Sequence, residues 1–190
     1  MIFQFKIKIK GITKPPVWRR VAVPANFTFS EFHAVIQIAF GWLDYHLYDF
    51  SEKEYDNDMR IAEISEDDFD DSKPTHDASK FKLSEYFSED ERKLKYIYDY
   101  GDSWIHEITL ESIDNNNKKK KAVCLAGKGT CPPEDCGGVG GYEELKYTFM
   151  EDPKSDDANE YREWLGMEKN EIWDANDFDI DSVNSELGDL

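Results

Sequence analysis

Phe3, Phe5, Ile7 and Ile9 alternate with Gln4, Lys6, Lys8 and Lys10 at the start of the chain. That period of two gives a strand one buried face and one wet face. Pro15 and Pro16 interrupt the pattern and residues 17–23 resume it as far as Pro24, so the opening reads as the two strands of a hairpin. Thr28 followed three residues later by Glu31 is a capping box, with Phe27 and Phe32 placed as a hydrophobic staple. Beyond the cap, Phe32, Val35, Ile36, Ala39 and Phe40 recur at helical spacing, and Gly41 stands where a left-handed stop belongs. The helix is expected to lay this stripe on the hairpin.

Residues 46–50 read as a short strand. The stretch 52–80 then turns acidic and poor in apolar side chains, with Glu66, Asp67, Asp68, Asp70 and Asp71 close together, and is read as a mobile surface insertion. A helical turn or two is expected at 82–87. Residues 94–100 and 104–113 form a second predicted hairpin around Gly101 and Asp102, and in its outgoing strand Trp104, His106, Ile108 and Leu110 share one face. A polar loop at 115–121, a short strand at 122–125 and helices near 142–150, 159–165 and 182–187 complete the pattern. The prediction is one α+β domain over residues 1–190. Its antiparallel or mixed sheet opens with a hairpin and a capped helix, the element order of a β-grasp domain, and further helices occupy the C-terminal third.

Composition supports one core: 190 residues are 39% apolar and 14% aromatic. No run approaches the length needed to cross a bilayer, and the first ten residues interleave lysines where a signal peptide would be apolar, so a cytoplasmic location is expected. The net charge of −18 is uneven, with +4 in residues 1–47 and −22 beyond. So acidic a body disfavours nucleic acid, whose affinity rests on Lys and Arg releasing phosphate counterions.

Candidate chemistry is concentrated in three places. Cys131-Pro132-Pro133-Glu134-Asp135-Cys136 precedes a glycine-rich run, and two thiols four residues apart can reach one zinc ion if His46, His106, Cys124, Glu134 or Asp135 completes the set. The competing account is a tight loop with buried thiols. His46 and His106 lie on predicted strands among aromatic residues, where a histidine bonded to a backbone carbonyl is commoner than a metal ligand. Asp99 and Asp102 bracket the second hairpin turn near His106 and offer a carboxylate and imidazole constellation for acid–base work or metal binding, although turn chemistry also explains both aspartates, and Glu134 is a further candidate base. Trp18, Trp42, Tyr98 and Trp104 can line a recognition surface or fill the core. No P-loop, nucleophile elbow, HExxH, EF-hand or dinucleotide fingerprint is present.

Val17-Trp18-Arg19-Arg20, the 42–50 block with His46-Leu47, residues 98–106 reading Tyr-Asp-Tyr-Gly-Asp-Ser-Trp-Ile-His, and the Cys131 to Cys136 loop with Gly137, Gly138, Gly141 and Tyr142 occur in this order. On these blocks the chain resembles the plasmid pRiA4b ORF-3-like family over nearly its full length, with 52–80 the least matched part. The resemblance implies an α+β domain and no defined activity, and it makes Trp18, His46, Asp102, His106, Cys131 and Cys136 parts of one motif set. Some relatives carry a transposon-resolvase label. A serine resolvase needs a nucleophilic serine near the N-terminus, and here the first serine is Ser30.

Three functions compete on the sequence. The first is a non-enzymatic binding or accessory module for a protein or small ligand. The second is a zinc-dependent enzyme, such as a hydrolase, with Cys131, Cys136 and a histidine as ligands and Asp102 or Glu134 as base. The third is a DNA-associated role through Lys6, Lys8, Lys10, Arg19 and Arg20.

Overall fold

The computed structural model describes residues 1–55, 59–64, 75–117 and 119–190. β1 (Ile2–Ile9) sits inside the sheet, antiparallel both to its hairpin partner β2 (Trp18–Pro24) and to β7 (Trp104–Asp114). β2 also pairs with β8 (Val123–Lys128), and β7 with β6 (Lys93–Tyr98). β3 (Tyr48–Ser51) adds to β6, β4 (Arg60–Ala62) to β3, and β5 (Thr75–Asp77) runs parallel to β4. Among the described residues the sheet is therefore mixed, eight strands in the order β5-β4-β3-β6-β7-β1-β2-β8.

The period-two pattern sets its two faces. Phe3, Phe5, Ile7 and Ile9 of β1 are buried along with Trp104, His106, Ile108 and Leu110 of β7, while Lys6, Lys8, Glu107 and Glu111 stay partly exposed on the other face. α1 (Phe29–Phe40) covers the apolar face. Its capping box forms as expected: the Glu31 N–H donates to Thr28 Oγ1 at 3.2 Å, the Thr28 N–H donates to Glu31 Oε2 at 2.7 Å, and Gly41 ends the helix at φ 83°. Phe29 and Phe32 then reach Phe50, Phe5 and Phe87, and each fully buried ring contributes roughly 2–3 kcal/mol of apolar transfer.

The stretch read as a surface insertion is only partly within the described residues, and residues 65–72 lie outside them. Its described flanks are built into the sheet as β4 and β5, with Ile61 and Ala78 fully buried. Three-residue edge strands give too short a pattern to stand out from acidic surroundings.

α2 (Leu83–Tyr86) is a single turn. α3 (Gly138–Glu151) begins four residues before the expected start, because Gly138, Gly140 and Gly141 enter its first turns. A Cβ at Gly141 would lie 1.7 Å from the Cys136 carbonyl oxygen, so the glycine permits a close approach that a larger residue forbids. α4 (Asp156–Trp164) packs on α3 around Leu145, Phe149 and Ala158. α5 (Ile180–Asp189) closes the β8 edge: Asn184 accepts the Cys124 N–H at 2.8 Å and donates to the Cys124 carbonyl at 3.0 Å, taking the place of a next strand. Among the described residues, no helix is long and apolar enough to cross a membrane.

Candidate metal centre

Three stretches far apart in sequence meet at one end of β3 and β6: residues 42–47 after α1, the 99–103 turn between β6 and β7, and the 131–137 loop ahead of α3. Each join is a specific hydrogen bond. Trp42 Nε1 donates to the Pro132 carbonyl at 2.9 Å, the Asp99 N–H to the Leu47 carbonyl at 3.0 Å, and the Gly137 N–H to Asp102 Oδ2 at 3.1 Å. Glu134 fixes the middle of the junction. Its Oε1 accepts the Leu43 N–H at 3.0 Å and the Tyr98 hydroxyl at 2.9 Å, while that hydroxyl accepts the Tyr45 N–H at 3.0 Å.

His46 lies at the focus. Its Nε2 is 3.3 Å from Asp135 Oδ1, 3.8 Å from Asp99 Oδ2 and 3.9 Å from Glu134 Oε2. Both His46 Nε2 and Glu134 Oε2 are buried without a hydrogen-bond partner. A buried polar atom left unbonded costs about 1–3 kcal/mol, so these two are poised for a group that would satisfy them together. One ligand atom each from His46, Asp99 and Asp135 fall within 4.8 Å of one another, and no other group of three or more His, Cys, Asp or Glu does so among the described residues. Asp99 and Asp135 both hold φ near 55°, a left-handed conformation that aspartate tolerates better than most residues. Asp99 adds a turn bond, its Oδ1 accepting the Gly101 N–H at 2.8 Å, which leaves Oδ2 toward His46.

The structure sorts the sequence candidates. Among the proposed metal ligands His46 joins the cluster, together with Asp99 and Asp135, and Glu134 borders it. Cys131, Cys136 and His106 do not belong to this group. Burial raises the Cys131 thiol well above its ordinary value and pushes Cys136 up to about 12, so both stay protonated at neutral pH. His106 is fully buried between Phe40, Trp42 and Tyr96, with Nδ1 2.9 Å from the Trp104 carbonyl, and desolvation lowers its pKa to about 3. It is a neutral core histidine. Asp102 caps the Gly137 N–H and sits outside the cluster.

Trp42, Tyr98 and Trp104 are buried in the core, one of the two places the sequence left open for them, and the Trp42 indole N–H and the Tyr98 hydroxyl take part in the site. Trp18 is half-buried on the open sheet face under the ammonium of Lys6. Arg19 is also corrected. It is buried and donates to the carbonyls of Trp18, Ala39, Lys128 and Gly129, which removes it from any phosphate-binding surface.

A model of the plasmid pRiA4b ORF-3-like protein family matches residues 1–182 of this chain. The chain belongs to the plasmid pRiA4b ORF-3-like family. The uncharacterized protein y4hQ of Sinorhizobium fredii (strain NBRC 101917 / NGR234) is 30% identical over 189 residues, spanning all of this chain and 92% of that relative. The crystal structure of MM3350, a protein of unknown function from Methanosarcina mazei Go1, is similar at a TM-score of 0.77 and 34% identity, covering 95% of each chain. MM3350 thus shares this fold, and neither relative brings a defined activity. Three of the four sequence blocks that carried the resemblance, residues 42–50, 98–106 and the Cys131 to Cys136 loop, converge on the junction around His46. What sequence reading missed was the combination of His46, Asp99 and Asp135, because a turn aspartate and a loop aspartate carry no spacing signature for a shared ion.

Proposed function

We propose that this protein is a binding module that holds a divalent transition-metal ion between His46, Asp99 and Asp135, with Glu134 as a fourth donor. The observation that carries the reading is the buried, unbonded His46 Nε2, with three carboxylates 3.3 to 3.9 Å away. With an ion about 2.1 Å from both atoms of a pair, separations of 3.3 to 3.8 Å subtend roughly 105° to 130°, compatible with tetrahedral or trigonal coordination. One imidazole with several carboxylates suits zinc, manganese or iron(II), whereas thiolates are absent from the set. Burial of His46 Nε2 and Glu134 Oε2 and the Tyr98 hydrogen bond to Glu134 supply the outer support that such sites use to hold ligands in place, with the exposed Asp135 as the solvent-side donor.

Metal content by inductively coupled plasma mass spectrometry, with calorimetric titration of Zn²⁺ and Mn²⁺ into chelator-treated protein, tests this. The expected result is one ion per chain, lost in His46→Gln and Asp135→Asn and kept in Cys131→Ser and Cys136→Ser. Loss in the cysteine variants with retention in His46→Gln, or no ion bound in any preparation, would sink the proposal.

A further inference from the structure

A cavity of about 510 Å³ opens between residues 44–48 and β4 with the residues after it, and His46 is one of its lining residues. That volume falls in the range of small-molecule sites. Its lip carries three large apolar side chains that folding has left in water, Tyr45 at 69%, Leu47 at 72% and Ile64 at 52% exposure. Single exposed apolar residues are ordinary, but three around one concavity mark a surface that gains by being covered.

The charges of this cavity are unbalanced. Arg60, its cation, donates to the Tyr100 hydroxyl at 2.9 Å, and its Nε, buried without a hydrogen bond, faces the Asp49 carboxylate at 3.7 Å, so its charge is matched by Asp49. Asp44 pairs with His33 Nε2 at 2.8 Å, but burial lowers the His33 pKa, so that imidazole is neutral at pH 7 and offers no charge. Glu63 has only hydroxyl partners, Ser30 and Tyr48, and among the described residues no cation lies within ion-pair distance of it. Among the described residues, two carboxylates beside Tyr45 and Tyr48 thus lack a permanent counter-charge. An organic anion would meet both of them, whereas an ammonium would meet the carboxylates and the exposed Tyr45 ring, each attractive to it.

We propose that this cavity binds a small organic amine with an aromatic or aliphatic body, its ammonium paired with Glu63 and Asp44 and its body lying against Tyr45, Leu47 and Ile64. His46 is shared with the proposed ion site, but the two carboxylates assigned to the ammonium, Glu63 and Asp44, do not belong to the His46, Asp99 and Asp135 group.

Three probes of one shape separate charge from size: 2-phenylethylammonium, 2-phenylethanol and 3-phenylpropionate, titrated at pH 7.5 into the full chain and followed by calorimetry and amide chemical shifts. The expected order is ammonium tightest, alcohol at least about tenfold weaker and carboxylate without measurable binding. Glu63→Gln, an exposed position whose variant is checked for an unchanged melting temperature, should weaken the ammonium about tenfold and leave the alcohol as it was. Asp135→Asn should bind the ammonium like the parent, so loss of the metal site and loss of the amine site are told apart. Carboxylate binding as tight as ammonium, an unchanged ammonium affinity in a folded Glu63→Gln, or no binding of any probe overturns the proposal.

Discussion

The Tyr98 hydroxyl donates to Glu134 Oε1 at 2.9 Å across the junction of β6 and the 131–137 loop, and in doing so leaves Glu134 Oε2 turned toward His46 without a bond of its own. A core tyrosine therefore sets the orientation of a site carboxylate. Desolvation first, and then the bond to Glu134, raise the phenol far above its usual range, so it stays protonated and a donor at neutral pH.

Removing that hydroxyl in Tyr98→Phe should weaken metal binding about 10- to 100-fold, the usual cost of losing an outer-shell partner. It should cost only about 1–2 kcal/mol of stability, since the ring still packs against Trp42. Zn²⁺ titration beside urea denaturation measures both, and an unchanged affinity would detach Glu134 from the ion.

His106 makes acid unfolding steeper. Its folded pKa is depressed to about 3 from an ordinary 6.5, so the unfolded chain binds the proton first. The resulting stability is complete above about pH 6.5 and is lost as pH falls toward 3, with a slope approaching ~1.4 kcal/mol per pH unit. His33 is lowered too and acts in the same direction. His106→Gln should be less stable than the parent at pH 7.5 by a margin that shrinks as pH falls to 4.5. Urea midpoints across that interval check it, and a constant margin would contradict the assignment.

Arg19 and Arg20 are sequence neighbours with opposite fates. Arg19 feeds four backbone carbonyls from β2, β8, the segment just past β8 and the end of α1, and Arg19→Met should cost roughly 3–5 kcal/mol because those acceptors lose their donors. Arg19→Lys should recover little, since an ammonium cannot reproduce the planar fork. Arg20 forms a half-exposed pair with Glu111, and Arg20→Gln should cost below about 1 kcal/mol. Guanidinium denaturation of the three variants decides.

Within α3, Gly141→Ala should destabilise the protein and reduce its metal content together, because the new methyl would displace the Cys136 carbonyl and with it the loop carrying Glu134 and Asp135. Gly140 has nothing within 4 Å of its Cβ position, and Gly140→Ala should be neutral or stabilising by about 0.5–1 kcal/mol through helix propensity. Melting temperature and bound metal, read on the same samples, separate them.

The fold was legible wherever local chemistry agrees with tertiary packing. Alternation along β1 and β7 and the Thr28 and Glu31 box were enough to place two hairpins and α1, since each signal arises within a dozen residues. The helix start at Gly138 was hidden because glycine disfavours helix, and only the 1.7 Å approach to Cys136 explains why glycine is needed there. β4 and β5 were hidden by their brevity and the acidic residues around them. The site was half visible: His46, Asp99, Glu134 and Asp135 were each nameable as donors, but which of them meet depends on pairings that sequence spacing does not encode.

The Leu43 to Glu134 hydrogen bond joins residues 91 positions apart, and the site stands on that bond. Closing so long a loop is costly in chain entropy and rewarded only after most of the sheet has assembled. The cluster around His46 is therefore a late assembly that exists only in the finished fold. An ion bound there would act as a clasp across three strands of sequence, slowing escape from the native state more than it hastens arrival.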